Sequence, residues 1–142
     1  MTRNGKAMPT GSRKARYIVS VSNVPAPEEI LSADEPLLTI PEVADRLGVL
    51  VTRVHALLRE QQLLEVRVDG VRKVPARLLN DDGTINRFVP GVIALLSDGG
   101  FQDWEILQYL FTPDESLPGR PVDALHGHLA REVMRRAQAM AL

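Results

Sequence analysis

Between Thr39 and Pro75 the spacing of apolar residues changes from a helical period to an alternating one, and the changes mark out the elements. Ile40, Val43, Ala44 and Leu47 recur at i, i+3, i+4 and i+7, the stripe of one amphipathic helix. Thr39 with Glu42 three residues on is a capping-box start, and Pro41 is tolerated because first-turn amides have no intrahelical partner. Gly48 ends the helix, since glycine takes the left-handed conformation without a Cβ clash. A second helix follows at once, with Val51, Val54, Leu57 and Leu58 as its inward face. Ala44, Gly48 and Val54 supply the small or branched contacts that let two short helices cross steeply. Leu64, Val66 and Val68 then alternate with Glu65 and Arg67, the period of a half-buried strand. Asp69-Gly70 suits a type I′ hairpin turn, Val71 to Val74 returns as the partner strand, and Pro75 stops it. Two helices across a tight turn and then a hairpin predict a winged helix-turn-helix over residues 36–80.

The flanks read differently. Residues 1–35 are rich in Gly, Ser, Pro and basic side chains, with too few apolar positions to offset the entropy of ordering. They are expected to form a disordered basic tail, in which Tyr17 to Val21 is the one strand-like run. After the wing, Ala76 to Leu79 suggests one helical turn, closed by the loop Asn80-Asp81-Asp82-Gly83. Val92, Ile93, Leu95 and Leu96 predict a short apolar helix that stops at Gly99-Gly100. Trp104, Leu107, Leu110 and Phe111 form the stripe of the next, ended by Thr112-Pro113, with Trp104 read as core. A last helix from Pro121 carries Val122, Leu125, Leu129, Val133, Ala137 and Met140 on one face. The expected fold is mainly α with a small β-hairpin wing: a winged helix-turn-helix followed by a C-terminal helical extension. Residues 81–142 should pack on the same domain.

Composition limits the chemistry. The 142 residues contain no cysteine, which excludes disulfides, thiolate zinc sites and a cysteine nucleophile. Aromatic residues make up only 4%, so the core must be aliphatic. The basic N-terminus lacks an apolar signal core and no run approaches membrane-spanning length, so a cytoplasmic, soluble protein is expected. His126 and His128 are two apart and would diverge on a helix, so they cannot share a metal. No phosphate-cradling glycine loop, nucleophile elbow or zinc signature occurs. The expectation is a protein that is not an enzyme and needs no cofactor or metal.

Charge supplies the functional hint. The net charge of −1 argues against a generic nucleic-acid binder, but its distribution is uneven. Arg3, Lys6, Arg13, Lys14 and Arg16 crowd the tail without an acid. Glu28, Glu29, Asp34 and Glu35 follow without a base. From Asp81 to Glu115 there are seven acids against one base, Arg87. The winged segment is mildly basic, so it alone can face phosphates. If Val51, Val54, Leu57 and Leu58 face inward, then Thr52, Ala56 and Arg59 point outward, with Arg53 and His55 on the flanks. Thr52 and Arg53, at the start of the second helix, are candidates for base edges, and Arg59 for phosphate. Arg67, Arg72 and Lys73 on the hairpin are candidates for backbone or minor-groove contact. Double-stranded DNA is the expected partner. With no long heptad seam, the chain should be a monomer.

Three strings carry a more specific likeness: LTIPEVADRLGVLVTRVHALLREQQLLEVR, PGVIALLSDGGFQDWEILQYLFTPDESL and RPVDALHGHLAREVMRRAQAMAL. Over about residues 36–142 they resemble a small actinobacterial family of winged helix-turn-helix DNA-binding proteins, whose mycobacterial member is a substrate of the membrane serine/threonine kinase PknL. The resemblance implies DNA binding through the winged module in transcription regulation or nucleoid association. It also implies that a serine/threonine kinase tunes binding through a tail threonine, for which Thr10 stands closest in position. Separately, FTPDESLPGRPVDAL is similar to the toxin-binding domain of certain antitoxins. That likeness supports a second reading, a protein-interaction module that works through the acidic C-terminal half.

Overall fold

The computed structural model describes residues 24–142. In chain order the elements are α1 (Pro27–Ile30), β1 (Leu37–Thr39), α2 (Ile40–Leu47), α3 (Val51–Arg59), β2 (Val66–Val68) and β3 (Val71–Pro75). A 3₁₀ turn (Ala76–Leu78) leads to α4 (Val89–Asp98), α5 (Asp103–Phe111), α6 (Pro121–Ala124) and α7 (Ala130–Met140). The architecture is a winged helix-turn-helix extended by four C-terminal helices.

The local signals in the sequence act as expected. Thr39 Oγ1 accepts the Glu42 amide at 3.3 Å, and Glu42 Oε1 accepts the Thr39 amide at 2.7 Å, so two otherwise orphaned donors are satisfied. The Thr39 amide, and after it the Thr39 side chain, hold the Glu42 carboxyl below its usual range. Thr39→Ala removes the side-chain hydrogen bond and should cost about 1 kcal/mol, read as a lowered midpoint in thermal or urea unfolding. Gly48 sits at φ 69° and closes α2 in a left-handed cap. Asp69 and Gly70 both have positive φ, 53° and 80°, as a type I′ turn requires.

The sheet has three antiparallel strands in the order β1-β3-β2. Its register pairs Leu38 with Val74, Arg67 with Arg72 and Val66 with Lys73. One face, with Leu38 and Val74, packs on the helix-turn-helix core; Val66 on the other lies against α1. Val43, Val54, Val74, Leu78, Ile93, Leu96, Ile106, Leu110 and Val133 are buried in a single apolar cluster that runs through both halves of the chain. Polar contacts cross the same boundary. Buried Asn86 donates from Nδ2 to the Leu125 carbonyl at 3.0 Å, and His126 Nε2 donates to the Arg77 carbonyl at 2.7 Å. Asp123 accepts from Arg120 and from Arg77, and those guanidiniums, Arg120 foremost, hold its carboxyl down at about 2. Arg120 also reaches the nearly buried Glu35 carboxylate.

Several expectations need correction. A third strand, β1, joins the hairpin. Order begins before residue 36: α1 is helical, and Ile30 and Leu31 are buried in the core. Thr10, the basic residues 3–16 and the Tyr17–Val21 run lie outside the described residues. The helix expected from Pro121 onward is two, α6 and α7, joined by turns in which the His126 and Gly127 amides bond three residues back, to Asp123 and Ala124. Val51, expected inward, opens α3 in an exposed position, while Val54 and Leu57 carry the packing. Met140 is also exposed near the end of α7. Trp104 packs only one side on the core and lines a surface groove with the other.

Candidate nucleic-acid interface

In a helix-turn-helix the second helix presents its N-terminal residues to base edges, so α3 and the hairpin beside it define the candidate site. Thr52 and Arg53 are exposed at the start of α3. Arg53 Nη1 lies 3.7 Å from Glu60 Oε1, but both side chains are largely solvated. Such a surface pair is weak, so Arg53 can leave it for a stronger anion. Arg59 is exposed on the last turn of α3, with no carboxylate partner among the described residues. His55 is half-buried against Arg72 of the sheet, and Ala56 is half-buried on α3.

Arg72 behaves differently from its neighbours. Its Nε–H donates to the Glu65 carboxylate and its Nη1–H donates to His55 Nδ1 at 3.1 Å. Because Arg72 can only donate, His55 Nδ1 must accept, which places the imidazole proton on Nε2. Arg72 is therefore a strut between the wing and α3. The register then sorts the remaining bases. Arg67 is the direct cross-strand partner of Arg72 and shares its face, the one toward α3. Lys73 is paired with Val66 and Thr39, so its side chain leaves from the opposite face. Of the eight residues chosen from sequence, Thr52, Arg53, Arg59 and Arg67 form an accessible surface. His55 and Arg72 support it from behind, Ala56 is half-buried on α3, and Lys73 stands apart from the surface.

Sequence reasoning missed one feature of this surface. Val49, Leu50 and Val51, the turn into α3 and its first residue, are all exposed, Leu50 by 77%. Leu50 occupies the N-cap of α3 with extended backbone and makes no side-chain cap hydrogen bond. The available signal was the missing Ser, Thr, Asp or Asn at a position where a side-chain oxygen normally accepts an orphaned amide.

Outside this surface, α5 borders an open groove of about 920 Å³. Glu29, Glu105, Asp114 and Glu115 line it with Phe101, Trp104 and Tyr109, and it has no basic lining residue. The Tyr109 hydroxyl is buried without a partner among the described residues, and burial raises its pKa. Among the described residues no cluster of three or more His, Asp or Glu is placed to hold a metal ion, and no helix is long and apolar enough to cross a membrane.

Comparison with known proteins gives concordant matches. Residues 23–79 match the family described as "DNA-binding protein Rv2175c, wHTH domain". Residues 87–141 match "Rv2175c C-terminal domain of unknown function". The chain is 44% identical over 143 residues to the DNA-binding protein Rv2175c of Mycobacterium tuberculosis, with 92% of this chain and 98% of the relative covered. An excisionase of Streptomyces ambofaciens is 42% identical over 45 residues, 32% of this chain and 73% of the relative. The NMR structure of Rv2175c superposes with a TM-score of 0.75 at 44% identity, covering 84% of this chain and 90% of that one.

Proposed function

Because the chain belongs to the Rv2175c family of winged helix-turn-helix proteins, we propose that it binds duplex DNA, with α3 in the major groove and the β2–β3 hairpin on the flanking backbone. One observation carries the reading: Thr52, Arg53 and Arg59 on α3 share an accessible face with Arg67 on the wing. The acidic groove beside α5, lined by Glu29, Glu105, Asp114 and Glu115, includes no residue of α3 or of the wing. The protein's role is that of a regulator or nucleoid-associated protein acting as a monomer. No part of it is asked to do catalysis.

Fluorescence anisotropy on a 20-base-pair duplex at several salt concentrations tests this. Three neutralised phosphates correspond to a slope of about −2.7 in log K against log salt, to which the basic tail adds. Arg59→Ala should reduce the slope by about 1, and Lys73→Ala should change it much less, because Lys73 leaves from the opposite face. No binding at low salt would overturn the reading.

The tail is the proposed point of control. Phosphate on Thr10 adds about −1.5 to −2 charge among Lys6, Arg13 and Lys14, cancelling part of the tail's attraction for DNA. Treatment with a serine/threonine kinase of the PknL type should weaken duplex binding, and Thr10→Ala should abolish that response. An unchanged affinity after stoichiometric phosphorylation would remove the tail from the account.

The groove beside α5 favours one other reading. Its aromatic and acidic lining suits a basic peptide, so a protein-interaction use of the C-terminal half stands if DNA titration fails and a partner co-purifies.

A further inference from the structure

We propose that Val49, Leu50 and Val51 read thymine 5-methyl groups in the major groove, which makes α3 a reader of A·T base pairs more than of guanine. The inference rests on the duplex-binding reading above and adds the chemistry that it recognises.

Three consecutive exposed apolar residues break the usual pattern of a soluble surface, where such runs are kept short unless they serve a contact. Leu50 breaks a second rule at the same place. It stands at the N-cap of α3, where a hydroxyl, amide or carboxylate would accept an orphaned amide, and it accepts nothing. The fold gains nothing from this choice: Leu50 is 77% exposed and packs on no core residue. A position that is locally unfavourable twice over, with no packing in return, is where function is to be sought.

Its location supplies the ligand. The N-terminal end of the second helix is the part of a helix-turn-helix that meets base edges. In the major groove the only apolar feature on any base edge is the thymine methyl, and apolar side chains are its natural partners. Thr52 follows directly and brings another methyl beside a hydroxyl that can donate or accept. Arg53 is the one basic side chain here, paired only loosely with Glu60 and free to contact guanine. It stands beside three exposed apolar residues and Thr52, however, so most of this surface offers methyl contacts rather than guanine donors.

The test removes only the methyl carbon. A duplex composed of A·T pairs is compared with the same duplex carrying deoxyuridine for every thymine, which leaves the hydrogen-bonding edges unchanged. Full-length protein should bind the deoxyuridine duplex roughly 3- to 10-fold more weakly, as expected if one or two methyls are covered. Leu50→Ser should lose most of that discrimination. The same variant should also unfold at higher temperature, because serine is a good N-cap, so a loss of discrimination cannot be blamed on misfolding. Equal wild-type affinity for the two duplexes would overturn methyl reading while leaving DNA binding intact. Binding to neither would overturn the DNA reading itself. A thymine preference retained in Leu50→Ser, or a fall from dimer to monomer in sedimentation with the preference unchanged, would show that Leu50 serves another contact and overturn its assignment.

Discussion

With Arg59 and Arg67 both changed to glutamate, duplex affinity at ~50 mM salt is expected to fall by about 10²-fold or more, with the fold intact. Both side chains are exposed on the face that α3 and the wing share, and neither holds a carboxylate among the described residues. Removing two phosphate contacts shifts the salt slope by about 1.8, and each introduced carboxylate adds repulsion from the duplex. The far-ultraviolet spectrum and melting temperature should stay close to wild type, since exposed charges away from a network change stability little. Reversing Arg72 instead should weaken DNA binding and stability together. Its guanidinium ties Glu65 to His55, and a glutamate there would leave two carboxylates facing each other. A double variant that binds as tightly as wild type would move the interface off this face.

Gly83→Ala should be among the most destabilising single-methyl changes available. Gly83 lies in the loop after the 3₁₀ turn, at φ +88°, a conformation that an L-residue with a Cβ adopts only with strain. An added Cβ would stand 2.4 Å from the Arg46 carbonyl oxygen, which is backbone on the last turn of α2 and cannot swing away. Strain and displacement together should cost about 3 kcal/mol, a large share of an ordinary domain's stability. That corresponds to a melting temperature lower by roughly 10–20 °C, measurable by calorimetry or circular dichroism. Gly70→Ala is the fitting comparison. It also has positive φ but meets no atom within 4 Å, so its cost should be confined to the backbone. Equal losses at both positions would mean that the contact with α2 is softer than its geometry states.

What could be read from sequence follows from the range of each interaction. The Thr39–Glu42 capping box, the Gly48 stop and the Asp69-Gly70 turn each depend on residues within four positions of one another, and all three stand in the structure. The strand β1 has only three residues, too few to show a period, and exists because Leu38 finds Val74 thirty-six positions later. The same reasoning covers α1, four residues long and held by Ile30 and Leu31 in the core. The break between α6 and α7 was hidden because Leu125, Leu129 and Val133 keep helical spacing through Gly127. At the site, charge and helical phase brought Arg53, Arg59 and Arg67 forward correctly as exposed cations. They could not show that Glu65 and His55 hold Arg72, nor that strand register turns Lys73 away.

Winged units are commonly thought of as cassettes that evolution and engineers can move from one protein to another. This one is not detachable. The two family segments, 23–79 and 87–141, meet over a shared interior rather than a hinge. Arg77 before the join is held by Asp123 after it, Gly83 at the join is pressed onto α2, and Glu35 reaches across to Arg120. A cut near residue 80 would strip cover from Leu78 and Leu79 and leave Glu35 without its guanidinium. A transplanted wing would arrive with half its interior missing. The helical half is thus inherited along with the DNA-facing half as one heritable unit, whatever further use each lineage finds for its acidic side.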